Sequence, residues 1–316
     1  MEYGDKHILV LGAGASGIGA SWVLAQVGAH VVLNDYKPVT LPVDEEKRLV
    51  SAGVDIITGR QDKSLLDGVD RIVISPGISL DIPIVKAAQA RGIDVVSEVE
   101  VAHELSKSPI VAVTGTNGKT TTTTLLTKVL EGTGKPVRVG GNIGDSLSEV
   151  AYSMPADGFL VAELSSYQLE TIKHFRPIGA IMLNITPDHL ARHKTMENYI
   201  AAKERIFENQ LSTDFMVLNI DDPIVADMKH RAPSHILEIS QHQVVSNGAY
   251  YDKGQCYVTK NGIATPVIGS ADIHIPGSHN IENILTVIAL TYALGVPVET
   301  IHRIISEFHG VEHRLE

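Results

Sequence analysis

The 316-residue chain carries 37 acidic against 26 basic side chains, for a formal net charge of −11. That balance argues against a nucleic-acid partner, whose phosphates such a chain repels. A lone cysteine, Cys256, leaves no disulfide framework and no cysteine zinc cluster, which suits a reducing cytosol.

At 44% apolar and 20% charged the composition is that of a globular protein. The length suggests about two domains. The N-terminus has no apolar run followed by a cleavage site. The most apolar late stretch, Ile284 to Val296, is too short to span a bilayer, so no membrane partner is expected.

His7 to Leu11 is a continuous apolar run, the pattern of a parallel strand covered on both faces. Gly12-Ala-Gly14-Ala15-Ser16-Gly17 follows, then an amphipathic helix from Ile18 to Val27, ended by Gly28. Val31 to Asn34 is a second strand, closed by Asp35. This is the G-x-G-x-x-G fingerprint with its acid, which predicts a dinucleotide-type fold. The same turn can hold any nucleotide diphosphate at its helix start. Helices over Asp44 to Ala52 and Pro83 to Arg91 alternate with strands at Asp55 to Thr58, Arg71 to Ser75 and Asp94 to Val96. Ser75-Pro76-Gly77 breaks its strand at the carboxyl end, where ligands sit in open parallel sheets. Residues 1–97 thus read as a Rossmann-like domain, with Ser97 to Ser106 a connecting helix.

A second α/β domain with a mostly parallel sheet is predicted over 98–310. Pro109 to Val113 is a buried strand, and Gly115-Thr116-Asn117-Gly118-Lys119-Thr120-Thr121 turns into a helix. The full phosphate-loop pattern would place its first glycine at 113, where Val113 stands, so what remains is G-x-x-G-K-T. Such a turn bares N–H groups to a phosphate, supplies Lys119 to the outer phosphates and offers the Thr120 hydroxyl to Mg²⁺. Further strands are read at Lys135 to Val139, Phe159 to Ala162 and Ile178 to Leu183. Two polar clusters follow strand ends: Glu163-Leu-Ser165-Ser-Tyr-Gln168 and Asn184-Ile-Thr-Pro-Asp-His189. A carboxylate and an imidazole there can ligate Mg²⁺ on ATP phosphates, or simply cap turns. His189 and His193 could share a helix face and bind zinc, but Leu190 stands where that motif needs glutamate. Lys203 lies about four turns beyond His189 if the helix between them is continuous. Residues 235 to 275 read as small peripheral β-ribbons. Asn280 reads as the N-cap of an apolar helix to Leu294, and Val298 to Phe308 as a last helix.

In this order the segments resemble the Mur ligases, ATP-dependent amide-forming enzymes of peptidoglycan precursor synthesis. The resemblance rests on Thr114 to Thr121, Gly141-Asn142-Ile-Gly144, Glu163 to Glu170, Leu183 to His189, Ala201-Ala-Lys203, His279-Asn280 and His313-Arg314. It covers nearly the whole chain. It implies ATP and two Mg²⁺ ions as cofactors, with UDP-N-acetylmuramoyl-L-alanine and D-glutamate as substrates.

By that resemblance Gly14, Ala15, Ser16, Gly17, Asp35, Tyr36 and Lys37 would hold the uridine diphosphate, with Gly77 nearby. Asn142, Ser165, Gln168 and His189 would meet the muramoyl-alanine part. Thr120 and Glu163 would bind one Mg²⁺, and His189 with carbamylated Lys203 the second. Asn280 would bind ATP, Asn283 would meet its adenine and Arg314 its phosphates. Lys119, Asn142, His189 and Lys203 would form the catalytic set. A cytoplasmic monomer is expected. In this family a third domain follows, so 311–316 would be its first residues and the chain by itself a weakly active or inactive fragment. The rival readings are an NAD-dependent oxidoreductase, which leaves Gly115 to Thr120 unexplained, and a non-catalytic UDP-sugar-binding module.

Overall fold

The computed structural model describes residues 3–311, so Arg314 lies outside the described residues. Its elements in chain order are β1 (His7–Leu11), α1 (Ala15–Gln26), β2 (His30–Asp35), α2 (Val43–Ser51), β3 (Asp55–Thr58), β4 (Arg71–Ile74), α3 (Pro83–Ala90), β5 (Asp94–Ser97) and α4 (Glu98–Leu105). There follow β6 (Ile110–Thr114), α5 (Lys119–Glu131), β7 (Val137–Gly141), α6 (Leu147–Ser153), β8 (Phe159–Glu163), α7 (Ser166–Leu169), β9 (Gly179–Met182), α8 (Leu190–His193) and α9 (Met196–Glu204). The chain continues through β10 (Phe215–Asn219), α10 (Pro223–Asp227), β11 (His235–Ser240), β12 (Gly248–Asp252), β13 (Gln255–Lys260), β14 (Ile263–Gly269), α11 (Ser278–Ala293) and α12 (Val298–Ser306). Among the described residues no helix is long and apolar enough to cross a membrane.

Two compact units form. The first takes residues 1–107, 144–154 and 166–175; the second takes 108–143, 155–165 and 176–316. The first unit holds a five-stranded sheet of order β3-β2-β1-β4-β5, all of whose pairs are parallel. Alternate residues of β1 explain the covering of both faces. Ile8 and Val10 pack with Ala20 and Leu24 of α1, while Leu9 and Leu11 pack with Ile84 and Val85 of α3. Glycine and small residues let α1 lie close: a Cβ on Gly17 would stand 1.9 Å from the Gly12 carbonyl oxygen.

Two carboxylates of α4 bind the inserted segments into this unit. Glu100 is fully buried and accepts the consecutive backbone N–H groups of Lys173 (2.7 Å), His174 (2.8 Å) and Phe175 (3.1 Å). Glu98 accepts the Ser146 hydroxyl at 2.7 Å and the Ser148 N–H at the start of α6. Burial raises the Glu98 pKa above the usual carboxylate value, against the pull of those donors.

The second unit holds a nine-stranded sheet of order β14-β13-β12-β11-β10-β9-β6-β8-β7. Its pairs are parallel from β7 to β12, and only the pairs that β13 makes, with β12 and with β14, are antiparallel. Leu125, Leu126 and Val129 of α5 and Ile284, Leu285 and Ile288 of α11 pack in one core with Val111, Val113 and Ile181. Within residues 235–275, β12, β13 and β14 form an antiparallel ribbon at the edge, as the sequence suggests, but this ribbon is joined through β11 to the main sheet. β11 pairs with β10 before it and with β12 after it, both in parallel, so this part of the chain extends the main sheet strand by strand.

Two local expectations are corrected. Helix α11 begins at Ser278 with Gly277 as its cap, at φ +98°; Asn280 lies in the first turn and donates to the Pro276 carbonyl at 2.6 Å. No continuous helix joins His189 to Lys203. Lys194 (φ 71°) breaks it, and Thr195 starts α9 by accepting the Asn198 N–H.

Candidate nucleotide and substrate sites

In the first unit the glycine turn follows β1, and Ser75-Pro76-Gly77 follows the adjacent β4. Strand order reverses between these two strands, so the crevice at their carboxyl ends is the ligand position of a doubly wound sheet. The Ser75 hydroxyl donates to the Gly12 carbonyl at 3.2 Å and ties the two turns together. Gly14 caps α1, leaving the exposed Gly14 and Ala15 and half-buried Ser16 at the helix start. The Asp35 carboxylate accepts the Ala13 N–H at 3.0 Å and the Lys37 N–H at 2.9 Å. It is thus held against the glycine turn. Tyr36 beside it is 71% exposed, an unusual setting for an aromatic ring and one suited to covering a flat ligand. Gly77 is exposed, with open space where its side chain would be. Gln168, in contrast, is buried within this unit on α7.

In the second unit the phosphate loop follows β6, which lies between β8 and β9. Gly118 has φ +84° and caps α5, so the helix opens on Lys119 with its first N–H groups bare. Gly115, at φ +151°, passes so close to β9 that a Cβ would meet Leu183 Cβ at 2.9 Å. The loop is fastened from one side. Asn184 accepts the Asn117 N–H at 2.8 Å and donates to the Asn117 carbonyl at 3.1 Å. The Thr116 hydroxyl accepts the Thr186 N–H at 3.0 Å and meets the Tyr199 hydroxyl at 3.0 Å. Lys119 folds over the loop, donating to the carbonyls of Gly115 (3.1 Å) and Thr116 (2.8 Å). Thr120 and Thr121 stand half-buried in the first helical turn. Asn283 is buried, takes Asn280 Oδ1 as acceptor at 3.1 Å, and would block a side chain at position 118, its Oδ1 lying 2.6 Å from the added Cβ.

Glu163 ends β8 and is 1% exposed. Its Oε1 accepts from Asn142 Nδ2 at 2.9 Å, while its Oε2 is buried with no hydrogen-bond partner among the described residues. A buried carboxylate oxygen without a partner is costly unless a cation completes it. A hard divalent ion, sharing the Thr120 hydroxyl in the first turn of α5 beyond the adjacent strand β6, fits that donor set. Lys203 does not fit a cation as it stands. Its Nζ donates to the Gly115 carbonyl at 2.8 Å and lies 5.0 Å from the centre of the Tyr199 ring. Burial, and then the charge of Lys119, bring its pKa down to about 7. His189 is exposed, at φ 52°, with Nε2 3.4 Å from Asp188. Among the described residues no three His, Cys, Asp or Glu side chains cluster as a metal group.

Tyr199 was absent from the candidate set, and Asn184 and Thr186 entered it only as members of a polar cluster, with no role of their own. Asn184 carried a signal, a lone amide directly after a buried strand. Tyr199 carried none, since an aromatic residue in a helix reads first as core.

The chain matches the Mur ligase middle domain over residues 113–291 and the Mur ligase MurD-like N-terminal domain over residues 6–97. The chain belongs to the Mur ligase family. It is 44% identical over 316 residues to a UDP-N-acetylmuramoylalanine–D-glutamate ligase of Thermoanaerobacter sp. (strain X514), covering 100% of this chain and 70% of that protein. A ligase of the same name from Halalkalibacterium halodurans is 42% identical over 315 residues, with 69% of its length covered. In fold, this Mur ligase chain is similar to the crystal structure of UDP-N-acetylmuramate:L-alanyl-gamma-D-glutamyl-meso-diaminopimelate ligase from Neisseria meningitides. The TM-score is 0.67 at 22% identity, over 98% of this chain and 99% of that one.

Proposed function

We propose that the chain acts in ATP-dependent amide ligation, joining D-glutamate to UDP-N-acetylmuramoyl-L-alanine. The observation that carries this reading is the buried, unpartnered Glu163 Oε2 on the strand next to a phosphate loop. A hydride-transfer enzyme has no use for that pairing. The names of relatives that match the whole chain supply the substrates.

In this reading residues 1–97 take the uridine diphosphate and residues 98–310 take ATP. The first N–H groups of α1, with Asp35, Tyr36 and Lys37, hold the uridine nucleotide. Asn142, Ser165 and His189 contact the sugar–peptide part. Gly115 to Thr121 cradle the ATP phosphates, with Asn280 and Asn283 on the adenine side. Mg²⁺ bound at Thr120 and Glu163 would draw charge off the phosphate oxygens.

Lys119 offsets charge on the transferred group. A carboxylate oxygen of the muramoyl-alanine forms a bond to the γ-phosphorus as the bond to the bridging oxygen breaks and ADP leaves. The D-glutamate amine then attacks the acyl carbon, phosphate departs, and the amine proton is lost to solvent or to a base. Near neutral pH a large fraction of Lys203 is the free amine, the form that adds CO₂. A carbamate there would replace a cation by oxygen donors, and with His189 it suits a second Mg²⁺. The reading places the protein in the cytoplasm as a monomer.

Titration with UDP-N-acetylmuramoyl-L-alanine and, separately, NADH tests the first half. The reading expects saturable binding of the uridine compound and none of NADH; the reverse pattern sinks it.

A further inference from the structure

The parallel ladder between β6 and β9 runs on past the ends of both strands. The Leu183 N–H donates to the Thr114 carbonyl at 3.1 Å, and the Thr116 N–H to the Asn184 carbonyl at 2.9 Å. Gly115 lies between these bonds with its backbone against Leu183 and Asn184. The Asn184 amide then closes on both backbone groups of Asn117, and the Thr186 N–H donates to the Thr116 hydroxyl. Residues 183–186 thus run beside 114–117 as a template. The connection from β6 to α5 is short, Gly115 to Gly118, and the template touches Gly115, Thr116 and Asn117 in turn.

The template needs an anchor of its own. Ile185 is buried, but residues 186–190 after it are all exposed. A segment leaving the core in this way keeps its direction by hydrogen bonds more than by packing. Asp222, just past the end of β10, supplies one. Its Oδ2 accepts the Ile185 N–H at 2.8 Å, and its Oδ1 accepts the N–H groups of Ile224 (2.9 Å) and Val225 (3.3 Å) as the cap of α10. The cap fixes the carboxylate, so the second oxygen meets Ile185 at a set place. A bond from N–H to an ionised carboxylate is of the stronger kind. Both oxygens are engaged here, so Asp222 acts on the loop through the template.

We propose that Asp222 is a positioning residue for the ATP phosphates, acting through residues 183–186 on the shape of Gly115 to Lys119. The inference rests on the reading of that loop as the ATP site. Backbone N–H groups bind a phosphate strongly only where they converge on it, and the template sets that convergence.

Asp222→Ser tests it, because serine still caps a helix but is too short to hold Ile185 as well. Hydrogen exchange is followed by mass spectrometry on the ligand-free chain, and binding of AMP-PNP with Mg²⁺, and of UDP, by calorimetry. Exchange should quicken at 183–186 and also at 114–118, while β7 and β8 keep the rate of the unaltered chain. AMP-PNP affinity should fall about tenfold, the scale of one charge-assisted bond. UDP affinity should stay within about twofold, since its site is built by the other unit. Asn184→Ala should also weaken AMP-PNP, and the double variant should lose less than the product of the two single losses, because both act on one template. If Asp222→Ser does not fold, Asp222→Asn carries the same expectations: one amide oxygen can still cap α10 while the amide nitrogen faces the Ile185 N–H. Unchanged exchange at 114–118, unchanged AMP-PNP affinity, or a double loss equal to the full product overturns this proposal alone. No AMP-PNP binding by the unaltered chain overturns the ATP reading and this proposal with it.

Discussion

The ammonium of Lys203 donates to the carbonyl of Gly115 at 2.8 Å, so a buried lysine of α9 holds the first turn of the phosphate loop. The contact makes the loop's shape depend on a group whose charge changes near neutrality. Burial is the main cause of the lowered pKa, and the neighbouring Lys119 charge adds to it.

A pH dependence of stability follows from that residue. Its folded pKa is about 7, against 10.5 for a free lysine. Between those values the unfolded chain binds the extra proton, so stability rises with pH through that window. Below about pH 7 both states are protonated, the slope vanishes, and the burial cost is carried in full. The slope cannot exceed that of one proton, ~1.4 kcal/mol per pH unit. Denaturant titrations from pH 6 to 10 should show this rise, in the absence of bicarbonate, and Lys203→Met should remove it. An unchanged slope in Lys203→Met would assign the dependence to another group.

Gly17→Ala separates the two binding functions. Its Cβ would stand 1.9 Å from the Gly12 carbonyl oxygen, backbone that cannot step aside without moving the turn. The variant should lose uridine-nucleotide binding by more than tenfold while its ATP-analogue affinity stays within about twofold, since the phosphate loop is built by the other unit. Calorimetry with both ligands checks it. Loss of both affinities together would show that the turn supports more than its own ligand.

Glu100→Gln addresses the fastening of residues 173–175. Three backbone N–H groups now converge on one carboxylate. The amide turns one acceptor oxygen into a donor, leaving buried N–H groups unmet at ~1–3 kcal/mol each. The expected loss is about 2–4 kcal/mol in chemical denaturation. A loss below about 0.5 kcal/mol, the level of ordinary surface changes, would mean that water takes over those bonds.

Much of this was legible in the sequence because both glycine turns announce themselves locally. Gly12 to Gly17 after an apolar strand and Gly115 to Thr120 before a helix are short-range patterns, and their chemistry is set by the backbone. Glu163 and Asn184 could be placed because each directly follows a buried strand. What stayed hidden was long-range. The chain gives no sign that Glu100 will take up residues 173–175, or that Tyr199 will reach Thr116. The β-ribbon reading of residues 235–275 found the antiparallel β12 to β14 but not their joining, through the parallel β11, to the main sheet. Whether one helix runs from His189 to Lys203 was left open by the sequence, because a left-handed Lys194 is not a signal that lysine normally carries.

Phosphate release from ATP tests the central claim most directly. It should be followed with UDP-N-acetylmuramoyl-L-alanine and either D- or L-glutamate. The assay uses this chain, and this chain extended by the remaining part of the Thermoanaerobacter relative. The account predicts release in the extended protein that needs both the uridine substrate and D-glutamate, is lost in Lys203→Ala, and is not restored there by high bicarbonate. Release independent of the uridine substrate, or full activity in Lys203→Ala, would contradict it.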